Sequence, residues 1–191
     1  MSSWVLREPA AWSTKQVRPR IAYDAAMDVV LEFFRHNTMM NHRLLEACQQ
    51  LRPEQLATTA TGTYGSIGAT LVHIANAQVG YAARLLELDR PEPLPEDPFP
   101  GFGVLAERFA LGDGWLEEAA TRGDRSRQVQ VRGDDPPGTW WMPVSLYLLQ
   151  AVNHGTEHRS QVATILTQLG VEPPAMDGWT YFLASGHMLP A

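Results

Sequence analysis

Histidines four residues apart, His154 and His158, lie in the stretch Asn153-His154-Gly155-Thr156-Glu157-His158-Arg159-Ser160-Gln161. On an α-helix that interval stacks both imidazoles on one face, about one turn apart. The flanks identify the stretch as helical. Val144, Tyr147, Ala151, Val162, Ile165 and Leu169 recur at steps of three and four around the pair. Pro143 suits a first turn and Gly170 a C-terminal cap. A core-facing helix therefore carries two imidazoles inward, where a polar group without a partner is costly to bury.

A third inward histidine is found on another helical stretch. His73 stands beside the stripe Ile67, Leu71, Ile74, Gln78 and Tyr81. Three neutral imidazoles suit Zn, Ni, Fe or Cu better than Mg or Ca, which prefer oxygen. Three protein ligands also leave a position free for water or substrate, as in catalytic sites. His36 and His42 are six residues apart and so point to different faces, which suits solvent-facing or capping roles.

One early histidine, in SIGATLVHIANAQ, and a late pair, in LLQAVNHGTEHRSQVATILTQLGVEPPAMDGWTYF, make the chain resemble the DinB family of metal-binding four-helix bundles, the DinB/YfiT-like group. The resemblance spans roughly residues 22 to 186, with FFRHNTMMNHRLLEACQQL as a looser match to the family's first helix. It implies an all-α fold with a long crossover between helices 2 and 3, and metal ligation by His73, His154 and His158. The expected ion is Zn or Ni, with Fe as a further candidate.

Relatives include S-transferases and isomerases that use low-molecular-weight thiols such as bacillithiol or mycothiol. The same histidine arrangement holds iron in ergothioneine-type sulfoxide synthases, whose second large domain has no counterpart in these residues. The resemblance thus implies a thiol-dependent S-transferase acting on small electrophiles, with a metal-dependent hydrolase or a non-catalytic metal-binding bundle as alternatives, and a homodimer as the assembly. The enzyme reading expects the open coordination position to face an apolar pocket. Asn41, on the apolar side of the first helix, either orients a ligand imidazole or satisfies a helix end. Gln150, Asn153 and Gln161 are candidates for the pocket edge. Glu157 and Arg159 are expected to point away from the stripe, with Arg159 pairing on the surface or at a dimer interface.

Length and composition narrow the partners. The 191 residues suit one domain, divided here into an N-terminal extension, 1–21, and a bundle domain, 22–191. A net charge of −6, with 15 basic residues scattered along the chain, disfavours nucleic acid and anionic membrane surfaces. No stretch approaches the ~18 apolar residues that span a bilayer, and Met1 to Arg20 lacks the apolar segment of a signal peptide. Cys48 is the only cysteine, which excludes a disulfide framework and fits a buried thiol in a cytoplasmic protein.

The remaining elements follow in order. An irregular lead-in, with Trp4 and Trp12 packing it onto the bundle, precedes a first helix over about 24–50 closed by Arg52-Pro53. Ser66 caps a second helix to about Leu88. Five prolines from Pro91 to Pro100 make the crossover. A third helix, about 101–121, is expected to kink at Gly112 and Gly114. Residues 127–131 alternate, 132–138 read as a loop and 139–142 as a returning strand, a short hairpin before the fourth helix. In it, one of Trp140 and Trp141 is expected to face inward. Asp177 caps a short terminal helix, and His187 in the tail needs no role.

Overall fold

The computed structural model describes residues 28–122, 124–134 and 137–186. The lead-in with Trp4 and Trp12, the predicted first turn from Asp24 and His187 lie outside the described residues. The described chain is mostly helical: α1 (Val29–Cys48), the single turn α2 (Pro53–Leu56), α3 (Ile67–Leu86), α4 (Phe102–Thr121), strands β1 (Gln128–Asp134) and β2 (Pro137–Pro143), α5 (Val144–Gln168) and α6 (Gly178–Ala184). None of these helices is long and apolar enough to cross a membrane.

The helix ends follow local chemistry. Asp28 caps α1 by accepting from Val30 N, and Ser66 caps α3 by accepting from Ala69 N. At the end of α5, Gly170 takes φ 71° while Val171 N returns to Leu166 O at 2.9 Å, so the last carbonyls are satisfied. Pro143 lies one residue before the first turn of α5, where Val144 N donates to Arg127 O and Ser145 N to Arg125 O. Arg52-Pro53 does not simply close α1. It opens α2, with Pro53 at a first-turn position.

α3 packs against α4 and α5, and α1 packs against the same two helices. Two apolar clusters fill the space between them. One gathers Leu44, Ile67, Leu71, Phe109 and Ile165, and the other Phe34, Leu86, Leu116, Tyr147 and Leu148. α4 runs unbroken through both expected kink positions. Gly112 serves helix packing instead: a Cβ there would stand 3.0 Å from the Gln78 Cβ on α3.

β1 and β2 pair antiparallel with Val131 opposite Trp140 and Gln130 opposite Trp141. The ladder extends through Arg132↔Thr139 to Asp134↔Pro137, further than the alternating residues predicted. Glycine, aspartate and proline read as loop in sequence, yet the backbone ladder continues through these rungs, and Pro137 at a strand end forfeits no central hydrogen bond. Trp140 and Trp141 are both exposed, contrary to the expectation of one inward ring. The hairpin stands on the bundle surface and its outer residues have no second layer to enter.

The crossover, 87–101, lies along α3. Asn76 donates to Leu94 O and accepts from Leu94 N, both at 2.9 Å, and Arg108 donates to Glu92 O. At the C-terminus, α6 docks on α1 through the Tyr181 hydroxyl on Glu32, while His36 Nε2 meets Met176 O at 3.1 Å. His36 is thus half-buried against the C-terminal segment rather than facing solvent.

Candidate metal centre

α3 and α5 bring their inward histidines together. His73 Nε2 and His154 Nε2 are 3.1 Å apart, and one ligand atom from each of His73, His154 and His158 lies within 4.8 Å of the other two. The first spacing is close to the roughly 3.3 Å between nitrogens bound 2.0–2.1 Å from a tetrahedral ion. His158 is buried and the other two are half-buried. Burial, followed by the neighbouring His158, lowers the pKa of His73, and the same causes with His73 added lower His154 to about 4. These two imidazoles are therefore neutral at physiological pH, as ligation requires.

The outer ring nitrogens of His158 and His73 have partners. His158 Nδ1 donates to Gln161 Oε1 at 2.9 Å, which leaves its Nε2 lone pair for the centre. Gln161 Oε1 also accepts from Tyr64 N at 3.0 Å. The Tyr64 ring stacks on His73 with centroids 3.9 Å apart, and its hydroxyl donates to the Glu96 carboxylate at 3.0 Å. Glu96 Oε1 in turn lies 3.4 Å from His73 Nδ1. A chain of contacts, Gln161 to Tyr64 to Glu96, thus links His158 to His73 on their outer side.

The centre opens into a cleft of about 1000 Å³ with His73 and His154 in its wall. The cleft is polar, contrary to the expected apolar pocket: Arg84, Arg90, Arg127 and Arg132 line it, with Tyr147 and the exposed Trp141. The arginines come from the outer side of α3, the crossover and the hairpin segment, none of which carries an apolar stripe to mark it, while Tyr147 reaches the cleft from α5.

A family model for the DinB family matches residues 25–186. The chain belongs to the DinB family. A crystal structure of a DinB-like protein from Bacillus cereus ATCC 10987 superposes with a TM-score of 0.59 over 76% of this chain and 94% of that one, at 20% identity, a likeness of fold. No curated protein matches the sequence significantly.

Within this DinB chain, the other predicted site residues scatter. Gln161 holds His158, as described. Gln150 lies 3.5 Å from the Tyr81 hydroxyl on an exposed surface, and Asn153 is exposed. Asn41 touches no ligand imidazole: its Nδ2 donates to Gln78 Oε1 at 2.6 Å and Asp113 Oδ1 at 3.0 Å.

Arg159 departs furthest from expectation. It is buried, 3% exposed, and its Nη1 donates to Asn37 Oδ1 and Asn41 Oδ1. The reason is that α5 has two helix neighbours. His154 and His158 face α3, while Gly155 and Arg159, about 100° further round, face α1. Gly155 makes room for this approach, since a Cβ there would stand 2.8 Å from Asn37 Oδ1 and 3.0 Å from Arg159 Nη1.

The resulting layer draws on all four long helices. Asn37 Nδ2 donates to Gln78 Oε1, and Gln78 Nε2 to Asp113 Oδ1, so three amides bridge the Arg159 cation to the Asp113 anion. Burial lowers Arg159 to about 10, with Asp113 opposing, and the guanidinium stays charged at neutral pH. On every helix the layer falls between the two apolar clusters. It sets the same level of α5 that carries His158.

Sequence reasoning missed Tyr64, Glu96 and Asp113. Glu96 had a readable signal, since a crossover lying along α3 must pass His73. Asp113 had another, four residues after Phe109 and three before Leu116 on the apolar face.

Proposed function

We propose that this chain binds one divalent transition-metal ion, zinc or nickel ahead of iron, through His73, His154 and His158. We further propose that it is an S-transferase joining a low-molecular-weight thiol, of bacillithiol or mycothiol type, to a small electrophile. The observation that carries the reading is the convergence of three imidazoles, two of them held neutral by burial, beside an open cleft.

Held by His73, His154 and His158, such an ion would supply the positive charge that lowers the pKa of a thiol or water beside it. Gln161 holds the tautomer of His158 that presents Nε2 inward. Tyr64 covers one face of His73, and Glu96 accepts at its outer nitrogen. Cys48 is no source of the sulfur, because burial raises its pKa to about 12. The thiol therefore comes from outside, and the cleft volume lies at the upper end for small-molecule sites, room for a thiol and an electrophile together. The same reading takes the packed helices as a four-helix bundle of DinB/YfiT type, acting as a cytoplasmic homodimer on small molecules.

Elemental analysis of the purified protein beside a triple His73/His154/His158→Ala variant tests the site. Roughly one ion per chain in the parent and none in the variant is expected for such a ligand set. Equal metal content in both overturns the assignment. Loss of an electrophile is then followed with bacillithiol, mycothiol, glutathione or no thiol. Acceleration by a thiol supports transfer, and equal rates without one favour hydrolysis.

A further inference from the structure

The cleft beside the histidines holds more cation than its own carboxylates neutralise. Arg127 is paired with Glu87 and also donates to Leu85 O. Of the remaining charged side chains lining the cleft, Arg84, Arg90 and Arg132 stand against Asp89 and Glu96, whose own partners, Tyr64 and His73, are neutral, so the cations still outnumber the carboxylates. This local excess occurs in a chain whose net charge is −6.

Two of these guanidiniums belong to one face of α3, since Arg84 lies one turn after Gly80, on which Arg90 rests. Arg90 lies flat across Gly80 of α3, its Cζ 3.2 Å from where a Cβ would stand, so that glycine gives the guanidinium its seat. Arg84 donates Nη1 to Gln130 O at 2.8 Å, which fixes its fork beneath β1. Burial raises the pKa of Tyr147, and Arg84, which also hydrogen-bonds this phenol, opposes that rise together with Arg90. Neither has a carboxylate in ion-pair contact among the described residues, although the guanidinium fork matches an oxyanion bidentately. Cations fixed in a cleft also concentrate anions there.

We propose that Arg84 and Arg90 form an oxyanion subsite, so that the molecule reaching the three histidines carries a carboxylate or phosphate group. The identity of that molecule as a substrate rests on the metal-site reading, but the binding chemistry does not.

Calorimetric titration of the purified protein with succinate, inorganic phosphate and neutral succinamide at low salt tests this. One of the anions binds and succinamide does not, and which anion binds distinguishes carboxylate from phosphate. Arg90→Gln removes no hydrogen bond within the protein among the described residues, so the fold is kept, and binding weakens by about tenfold or more, the worth of a charged hydrogen bond. Arg84→Gln weakens it too, with loosening of the hairpin read separately by circular dichroism. Undiminished binding in Arg90→Gln, or binding of neither anion, overturns the subsite. So does loss in His154→Ala with retention in both arginine variants, which places the anion on the metal instead. Anion binding that is arginine-dependent in a protein found free of metal upholds the subsite while the metal reading falls.

Discussion

Arg159 Nη1 donates to Asn37 Oδ1 at 2.6 Å, joining α5 to α1 across 122 residues of sequence. The pair matters because it begins the relay of amides that ends on Asp113. Removing the cation takes the donor from Asn37 and Asn41 and leaves the Asp113 carboxylate with His42 as its only cationic partner among the described residues, and losing one side of a buried charged network costs about 3–5 kcal/mol. Arg159→Met is therefore expected to lose that much unfolding free energy by denaturant titration. Adding Asp113→Asn should recover part of the loss, since no uncompensated charge then remains. A double variant as unstable as the sum of the singles would show that the two charges are not coupled.

Gly155→Ala sets two effects against each other. Alanine gains about 1 kcal/mol over glycine in a helix interior. The added Cβ, 2.8 Å from Asn37 Oδ1, pushes into a hydrogen-bonded buried layer, and overpacking of this kind costs roughly 1–3 kcal/mol. A net destabilisation is expected, visible as a lower thermal midpoint. A raised midpoint would mean the layer yields freely.

Gln161→Ala removes the acceptor of His158 Nδ1 and the tie to Tyr64 N. Outer partners of ligand histidines are worth about 10–100-fold in metal affinity. Competition with a chelator should show a loss of that order for Gln161→Ala and none for Asn153→Ala, an exposed position. Equal affinities in the two variants would remove Gln161 from the site.

His42 supplies a pH-dependent contact. Its Nε2 lies 3.5 Å from Asp113 Oδ2, and that carboxylate raises the imidazole pKa above its ordinary value. A raised folded-state pKa contributes stability that is fully present below the unfolded value, about 6.5, and is lost as pH rises through the folded value. His42→Gln should therefore destabilise the protein most near pH 5.5 and least near pH 9, by denaturant midpoints. A difference that grows with pH would contradict this pairing.

Much of the architecture was readable before any coordinates. The caps at Ser66, Gly170 and Asp177 and the proline crossover all rest on local backbone chemistry, which neighbouring residues express directly. His73, His154 and His158 were readable because each lies in an apolar stripe, so period alone aims them inward. Arg159 was not, because a charged residue beside a stripe carries no mark of burial. Asn37 and Asn41 on α1 accept from its Nη1, and Thr156 on its own helix from its Nη2, and both asparagines are more than a hundred residues away. Trp141 and Arg90 were hidden for the opposite reason: they are exposed, and exposure alone does not say which surface overhangs a cleft.

By itself the sequence determined the long helices, the inward aim of His73, His154 and His158 and membership of the DinB family, since hydrophobic period and motif are properties of short stretches. The tertiary structure alone decided that α5 buries two faces, that the crossover carries Glu96 to His73, and that arginines from three elements share one cleft. Those outcomes depend on which helices become neighbours, and polar groups buried or gathered by such neighbours leave no periodic trace in the chain.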